Sequence, residues 1–129
     1  MWQAGAAVSG LGELDGIARR AVWDGVAARV VEGDRCAVAV VELDAGALVP
    51  DHEHANEQLG LVLSGTVTFT VGDETRELGP GGTWSIPGGT SHRVVAGVDG
   101  AVVIDVFSPP RADWARLETL PPQAPRWPA

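Results

Sequence analysis

A chain of 129 residues is long enough for one domain with a modest hydrophobic core. Nine basic and seventeen acidic side chains give a formal net charge of −8, which argues against a nucleic-acid partner because such a partner requires a basic face. The single cysteine, Cys36, permits no internal disulfide and favours a cytoplasmic location. No apolar stretch is long enough to span a membrane, and the N-terminus lacks the basic start and apolar core of a signal peptide.

Residues 1–20 are rich in Gly and Ala and predict an irregular N-terminal arm. From Ala21 onward, short runs rich in valine alternate with Gly, Pro and Asp turns, which favours an antiparallel all-β sandwich or barrel over residues 21–108. The predicted strands are Ala21–Glu32, Cys36–Asp44, Thr66–Val71, Glu74–Leu78, Thr83–Ile86, His92–Ala96 and Ala101–Phe107. Residues 109–129 form a C-terminal segment with one possible helical turn and a Pro-rich extended tail.

The three histidines of the chain are its most informative residues. His52 and His54 are two positions apart, so in a strand both project from the same face. His92 follows a turn rich in Gly and Pro, and an amide, Gln58, follows the first pair. A lone histidine is more often a hydrogen-bonded or surface residue, but together these side chains predict one divided metal site. Imidazole suits Zn, Cu, Fe and Ni, while Glu57 is a rival ligand to the neighbouring amide.

A second candidate site is one carboxylate within an otherwise apolar strand. Asp105 and Phe107 share one face of this strand, and Arg111 follows two prolines. In a structural interpretation, Asp105 hydrogen-bonds a loop and Arg111 neutralises it. In a functional interpretation, Asp105 is a general acid or base beside the metal, Phe107 shapes the pocket, and Arg111 clamps a substrate carboxylate.

Two spaced motifs resemble the signature motifs of the cupin superfamily. They are Gly46-x5-His52-x-His54-x3-Gln58-x6-Gly65 and Gly81-x5-Pro87-x-Gly89-x2-His92. The resemblance implies a double-stranded β-helix, or jelly-roll, barrel with a divalent ion (Zn, Ni, Fe, Mn or Cu). It assigns the ligands as His52, His54, Gln58 and His92. The commoner pattern has Glu at position 58 and often Asn at position 96, but the glycine spacing selects Gln58 over Glu57.

The segment from Val102 to Trp114 further resembles the KdgF-like cupins of pectin and alginate degradation, which convert unsaturated monouronates into open-chain keto forms. This resemblance implies a catalytic Asp105, a pocket-forming Phe107 and a substrate-binding Arg111. Neutral ligands leave the ion's double charge uncompensated, which favours Lewis-acid chemistry on a small anionic substrate. We therefore expect an enzyme that opens or tautomerises a sugar acid or keto acid, and the resemblance to small cupins implies a homodimer. The alternatives are a cupin dioxygenase, a biosynthetic cyclase and a non-catalytic binding module.

Overall fold

The computed structural model describes residues 10–128, so residues 1–9 of the predicted arm lie outside the described residues. Two short 3-10 helices, Leu14–Gly16 and Ala112–Arg116, flank the strands of the barrel. The strands, β1 to β8 in chain order, are Arg20–Trp23, Val26–Glu32, Ala37–Leu43, Leu48–His52, Glu57–Val71, Glu74–Leu78, Thr83–Ile86 and His92–Ser108. No helix in this part of the chain is long and apolar enough to cross a membrane.

The two longest strands, β5 and β8, pair antiparallel and connect the two layers of the barrel. In one layer, residues 101–107 of β8 pair with β3, and residues 58–61 of β5 pair with β7. In the other layer, the start of β8 pairs with β4, and the end of β5 pairs with β6. Shifts of register in β5 lie where the strands pass from one layer to the other. This all-β jelly roll confirms the expected fold class.

Three predicted boundaries within the barrel were wrong. The predicted strand Thr66–Val71 is only the second half of β5, which begins at Glu57. Residues 97–100 do not separate two strands, because β8 continues through them. A side chain at Gly97 would overlap Thr66, and one at Gly100 would overlap the carbonyl of Leu43, so these glycines permit close contact at the bend. The predicted strand over residues 21–32 is instead the hairpin of β1 and β2, which turns at Gly25 with φ of +73°.

Successive side chains along each strand point alternately into and out of the barrel. The inward ones are mainly Val, Leu, Ala and aromatic residues, and they form the core. Phe69 and Phe107 belong to this core. The run of alanine and valine in β3 places Ala37 and Ala39 inward, opposite Phe107 and Asp105 of β8. These small side chains leave room for the larger groups across from them.

The C-terminal segment returns to the start of the barrel. The amide of Ala21 donates to the carbonyl of Glu118 at 2.9 Å, so the chain after the second 3-10 helix extends the sheet beside β1. The tail then crosses β2 and β3, where Arg29 and Glu42 form a buried ion pair 3.0 Å apart. The Glu42 carboxylate also accepts a hydrogen bond from the backbone amide of Arg126. Residues 121–128 contain no helix or strand, as the prolines predict.

The bend in β5 and β8 supplies a stability test. Gly46 and Gly65 both have positive φ, of +71° and +76°, but a side chain at Gly65 would overlap the backbone of Gly100 and Ala101, while Gly46 has open space. Gly46→Ala should cost about 1 kcal/mol for the backbone conformation alone. Gly65→Ala should cost at least about 3 kcal/mol because the backbone must also move. Urea unfolding of the two variants measures both values, and equal losses would contradict the close approach of β5 and β8.

Candidate metal centre and active site

The three histidines converge at one end of the barrel. His52 ends β4 and lies directly opposite His92, the first residue of β8. His54 lies beyond β4, so strand alternation alone does not place it, contrary to the sequence interpretation. The loop is held by the turn before β8, where the amide of Gly89 donates to the carbonyl of His54 at 2.8 Å. A side chain at Gly88 would overlap the carbonyl of Ala55, so the turn packs closely on this loop.

The candidate ligand atoms of His52, His54 and His92 lie within 4.8 Å of one another. Each imidazole Nδ1 contacts a backbone carbonyl two residues away, at 2.8, 3.1 and 2.8 Å respectively. A carbonyl only accepts, so each Nδ1 carries a proton, and in His52 and His92 the Nε2 keeps its lone pair. The Nε2 of His54 instead faces Oε1 of Gln58, an acceptor that a proton or a shared cation at this nitrogen would satisfy. Fixing the tautomer in this way is typical of histidines that bind a metal ion.

The environment of His92 provides a test of whether a metal ion fits. Its Nε2 is buried and has no hydrogen-bond partner among residues 10–128. Burial lowers the pKa of His92 to about 4, so this ring is neutral at neutral pH, and burial also lowers the pKa of His54. A metal ion would satisfy the lone pair that no protein group contacts. The cluster can therefore hold a metal ion.

Gln58 projects from β5 towards the same cluster. Its Oε1 lies 3.0 Å from Nε2 of His54, and its Nε2 donates to Oδ1 of Asp105 at 2.8 Å. The hydrogen bond to Asp105 orients the amide so that its oxygen faces the histidines. Two ligand atoms at right angles around one ion are also about 3.0 Å apart. Gln58 is 5% exposed, whereas Glu57 is exposed on the outside of the strand.

Asp105 is buried in the centre of the site. Its Oδ1 accepts hydrogen bonds from Gln58 and from Nε1 of Trp84, each at 2.8 Å. Burial raises the pKa of Asp105 to about 6, against the opposing effects of these two donors and of the charge on Arg111. Among the described residues, Oδ2 has no hydrogen-bond partner. This oxygen is therefore the one available to a substrate.

Trp84 is a site residue that the sequence analysis did not identify, since its indole Nε1 donates to Asp105. Gly60 of β5 pairs with Trp84 on one side and with Asp105 on the other. A side chain at Gly60 would overlap the indole ring, so the glycine allows Trp84 to reach Asp105 across an intervening strand. The isolated glycine within the apolar run of β5 was the available sign of this close approach.

Phe107 and Arg111 form one wall of the site. The Phe107 ring packs edge-on against His54, with ring centres 5.7 Å apart, and the Arg111 guanidinium lies 5.2 Å above the Phe107 ring. Arg111 also donates twice to Asp113, at 3.0 and 2.8 Å, which lowers the pKa of that carboxyl. Arg111 therefore pairs with Asp113, and not with Asp105 as the structural interpretation supposed. Asn56 holds the preceding segment by donating to the Pro109 carbonyl at 2.6 Å.

These side chains surround one cavity of about 140 Å³. Its polar groups are His52, Gln58, His92, Asp105, Arg111 and Asp113. Trp114, in the second 3-10 helix, covers part of the cavity and packs edge-on against Phe107 at 5.1 Å. The structure thus brings all seven predicted site residues to one cavity or its edge.

Comparisons with known proteins agree with this arrangement. A family model described as the cupin domain matches residues 39–107. The chain is 32% identical over 102 residues to an uncharacterised protein of Streptomyces coelicolor, which covers 79% of this chain and 95% of that protein. It is 30% identical over 93 residues to the pectin degradation protein KdgF of Dickeya dadantii, which covers 70% of this chain and 84% of that protein.

Solved structures show the same fold. The structure of KdgF from a Halomonas species superimposes with a TM-score of 0.76 at 28% identity, covering 82% of this chain and 98% of that one. An RmlC-like cupin from Shewanella frigidimarina superimposes with a TM-score of 0.77 at 21% identity, covering 83% of this chain and 96% of that one. The match extends over nearly the whole length of the two solved proteins.

The metal centre can be tested by binding. The chelator-treated chain should bind one Zn²⁺ or Ni²⁺ per chain and gain about 2.7 kcal/mol of stability at a free ion concentration 100 times the Kd. His92→Ala and Gln58→Ala should each weaken the affinity at least about tenfold, because each removes one ligand. Titration calorimetry and metal analysis measure these effects.

Glu57→Ala is the matched control for Gln58→Ala, since it changes the neighbouring exposed residue. This variant should bind the ion as tightly as the unchanged chain. If Glu57→Ala weakened binding and Gln58→Ala did not, the amide would be the wrong ligand. If the unchanged chain bound no ion, the metal centre itself would be wrong.

Proposed function

Because the chain belongs to the cupin family, we propose that its cavity is the active site of a metal-dependent enzyme. The proposed reaction is a proton transfer on a small anionic sugar acid or keto acid. The observation that carries this proposal is the position of Asp105, a buried carboxylate that contacts the candidate ligand Gln58 and lines the same cavity. A titratable group with a perturbed pKa in such a cleft is typical of an acid–base catalyst.

Each side chain has a distinct part in this reaction. A divalent ion held by the three histidines and Gln58 would polarise a substrate oxygen as a Lewis acid. The two donors to Oδ1 of Asp105 fix the carboxylate, so Oδ2 is the atom that takes up a proton and returns it. Gln58 links the two functions, because one amide contacts both the histidine cluster and the acid–base group.

Arg111 and Phe107 orient the substrate in this proposal. Nε and Nη2 of Arg111 hold Asp113, while Nη1 makes no hydrogen bond to another described residue. The guanidinium is fixed between the rings of Phe107 and Trp114, at 5.2 and 5.1 Å from their centres. A rigid, planar cation at the edge of the cavity suits a substrate carboxylate. Asp113 is exposed, so solvent weakens its ion pair with Arg111, and the guanidinium can also bind a substrate carboxylate.

The similarity to two KdgF proteins makes an unsaturated monouronate the first substrate to test. Ring opening of this sugar acid moves one proton from the anomeric hydroxyl to the alkene carbon. The ring carbon–oxygen bond breaks, an aldehyde forms at one end, and the enol becomes a ketone at the other. The reaction is an isomerisation, so it needs no oxidant, and one carboxylate can take up and return the proton.

Asp105→Asn tests the acid–base role. Asn keeps an oxygen that accepts from Gln58 and Trp84 but cannot carry the transferred proton, so turnover of the unsaturated uronate should fall at least about 100-fold. The loss of ultraviolet absorbance of the conjugated double bond measures the rate, and metal analysis checks that the ion stays bound.

Trp84→Phe is a graded control, because it removes one donor to Asp105 and keeps the carboxylate. It should retain metal and lose less activity than Asp105→Asn. An Asp105→Asn variant that binds metal and turns over the uronate at the unchanged rate would contradict the proposal. Oxygen uptake by the Fe(II)-loaded chain, without conversion of the uronate, would favour an oxygenase instead.

We also propose that the chain forms a homodimer through an outer apolar patch of six aliphatic side chains. The patch consists of Val31, Val38, Leu59, Leu61, Ile104 and Val106. Val31, Val38, Val106 and Leu59 are aligned directly across β2, β3, β8 and β5. The chain carries a net charge of −8, yet this patch has no charged side chain. A second copy can therefore pack here without bringing like charges together.

The pair of substitutions Leu59→Glu and Leu61→Glu should convert the dimer to a monomer, since it buries four negative charges at a two-fold interface. Val98→Glu is the control, because Val98 is 89% exposed at the bend of β8 and lies outside the patch. Sedimentation velocity distinguishes the two states. An unchanged chain that sediments as a monomer would contradict the proposed interface.

A further inference from the structure

The part of the cavity below the candidate metal centre is lined by hydrocarbon. The polar side chains lie at the ligand cluster and the mouth, whereas the remaining walls are aliphatic or aromatic. The aliphatic walls come from both layers of the barrel and consist of Val26, Val41, Leu43, Val49, Val94 and Val103. Most of these side chains are almost completely buried. The cavity is therefore strongly divided between a polar end and an apolar end.

The polar groups at the upper end are largely occupied by one another. Each histidine Nδ1 contacts a backbone carbonyl, and the amide nitrogen of Gln58 contacts Asp105. Two donors occupy Oδ1 of Asp105, and two bonds from Arg111 go to Asp113. The remaining groups can orient one carboxylate and one reacting oxygen. They cannot also satisfy several hydroxyl groups placed deeper in the cavity, and each unsatisfied buried hydroxyl weakens binding.

We propose that the lower cavity is a hydrocarbon-binding subsite, and that the substrate is a small carboxylate with an aliphatic or aromatic group in place of a hydroxylated chain. This inference rests on the proposed function only in placing the carboxylate at Arg111. It narrows the proposed substrates, sugar acids and keto acids, to keto acids with a hydrocarbon group, because a monouronate offers no such group to fill the subsite.

The size of the cavity agrees with this class of ligand. The whole cavity, including its polar end, has a volume of about 140 Å³, close to that of engineered apolar cavities of roughly 150 Å³, which bind benzene. A branched aliphatic chain of three or four carbons therefore fits in the apolar part when the carboxylate lies at the mouth beside Arg111. Each methylene group that enters should increase the affinity about fourfold.

A series of 2-oxo acids tests the subsite by binding alone. Pyruvate, 2-oxobutanoate, 4-methyl-2-oxopentanoate and phenylpyruvate are titrated into the Zn-loaded chain, with galacturonate as the hydroxylated comparison. 4-Methyl-2-oxopentanoate has three more carbons than pyruvate and should bind about 50-fold more tightly if all three are buried. Galacturonate should bind no more tightly than pyruvate. A series with equal affinities, or a preference for galacturonate, would overturn the inference.

Val41→Phe localises the effect, because Val41 is buried in β3 and lines the lower cavity. The larger side chain should weaken binding of 4-methyl-2-oxopentanoate at least about tenfold and leave pyruvate within about twofold. Val98→Phe makes a similar change at an exposed site and should alter neither. Val94→Leu, a smaller increase in volume at another wall, repeats the test if Val41→Phe does not fold. Equal losses for both acids in the variant would overturn the inference.

The outcomes separate this inference from the proposed function. A steep affinity series, together with an Asp105→Asn variant of unchanged activity, would support the subsite and reject the acid–base role. A flat series, together with Asp105-dependent turnover of the uronate, would reject the subsite and support the proposed function.

Discussion

The antiparallel pairing of β5 and β8 is the constraint on which the site depends. One strand carries Gln58 and Gly60, and the other carries His92, Asp105 and Phe107. Because both strands pass through the two layers, His92 at the start of β8 and Asp105 near its end reach the same cavity. A one-residue slip in this pairing would turn each inward side chain outward. The fold and the site therefore share a single requirement, which is the register between two strands.

Asp105 shows how the structure accommodates a buried carboxylate. Burial disfavours its charged form and raises its pKa, while the donors Gln58 and Trp84 act in the opposite direction. Small residues make room for these groups. The indole of Trp84 crosses the position of Gly60, and Ala39 lies on the other side of Asp105. This buried carboxylate is thus held by residues whose importance lies in the space they leave.

The sequence predicted the parts of this structure that depend on local pattern. Alternating apolar residues and glycine turns indicated the all-β class. The spacing of the two motifs predicted that the histidines and Gln58 lie close together. The bend in β8 was missed because Gly97 and Gly100 look like a turn, whereas they permit close packing between strands that are distant in sequence. The contact of Trp84 with Asp105 was missed for the same reason, since it crosses a third strand. Contacts set by register are not visible in one strand's own sequence.

The polar and apolar ends of the cavity follow from the same geometry. The loop ends of β4 and β8 have free backbone carbonyls, and these fix the histidine rings and concentrate the polar groups at the mouth. Below them the inward positions are filled mainly by side chains such as Val41 and Val103, which need no hydrogen-bond partner. The buried polar exceptions, Gln58 and Asp105, hydrogen-bond to each other, so the rest of the interior is hydrocarbon. The chemistry of a bound ligand should change along the barrel axis in the same order.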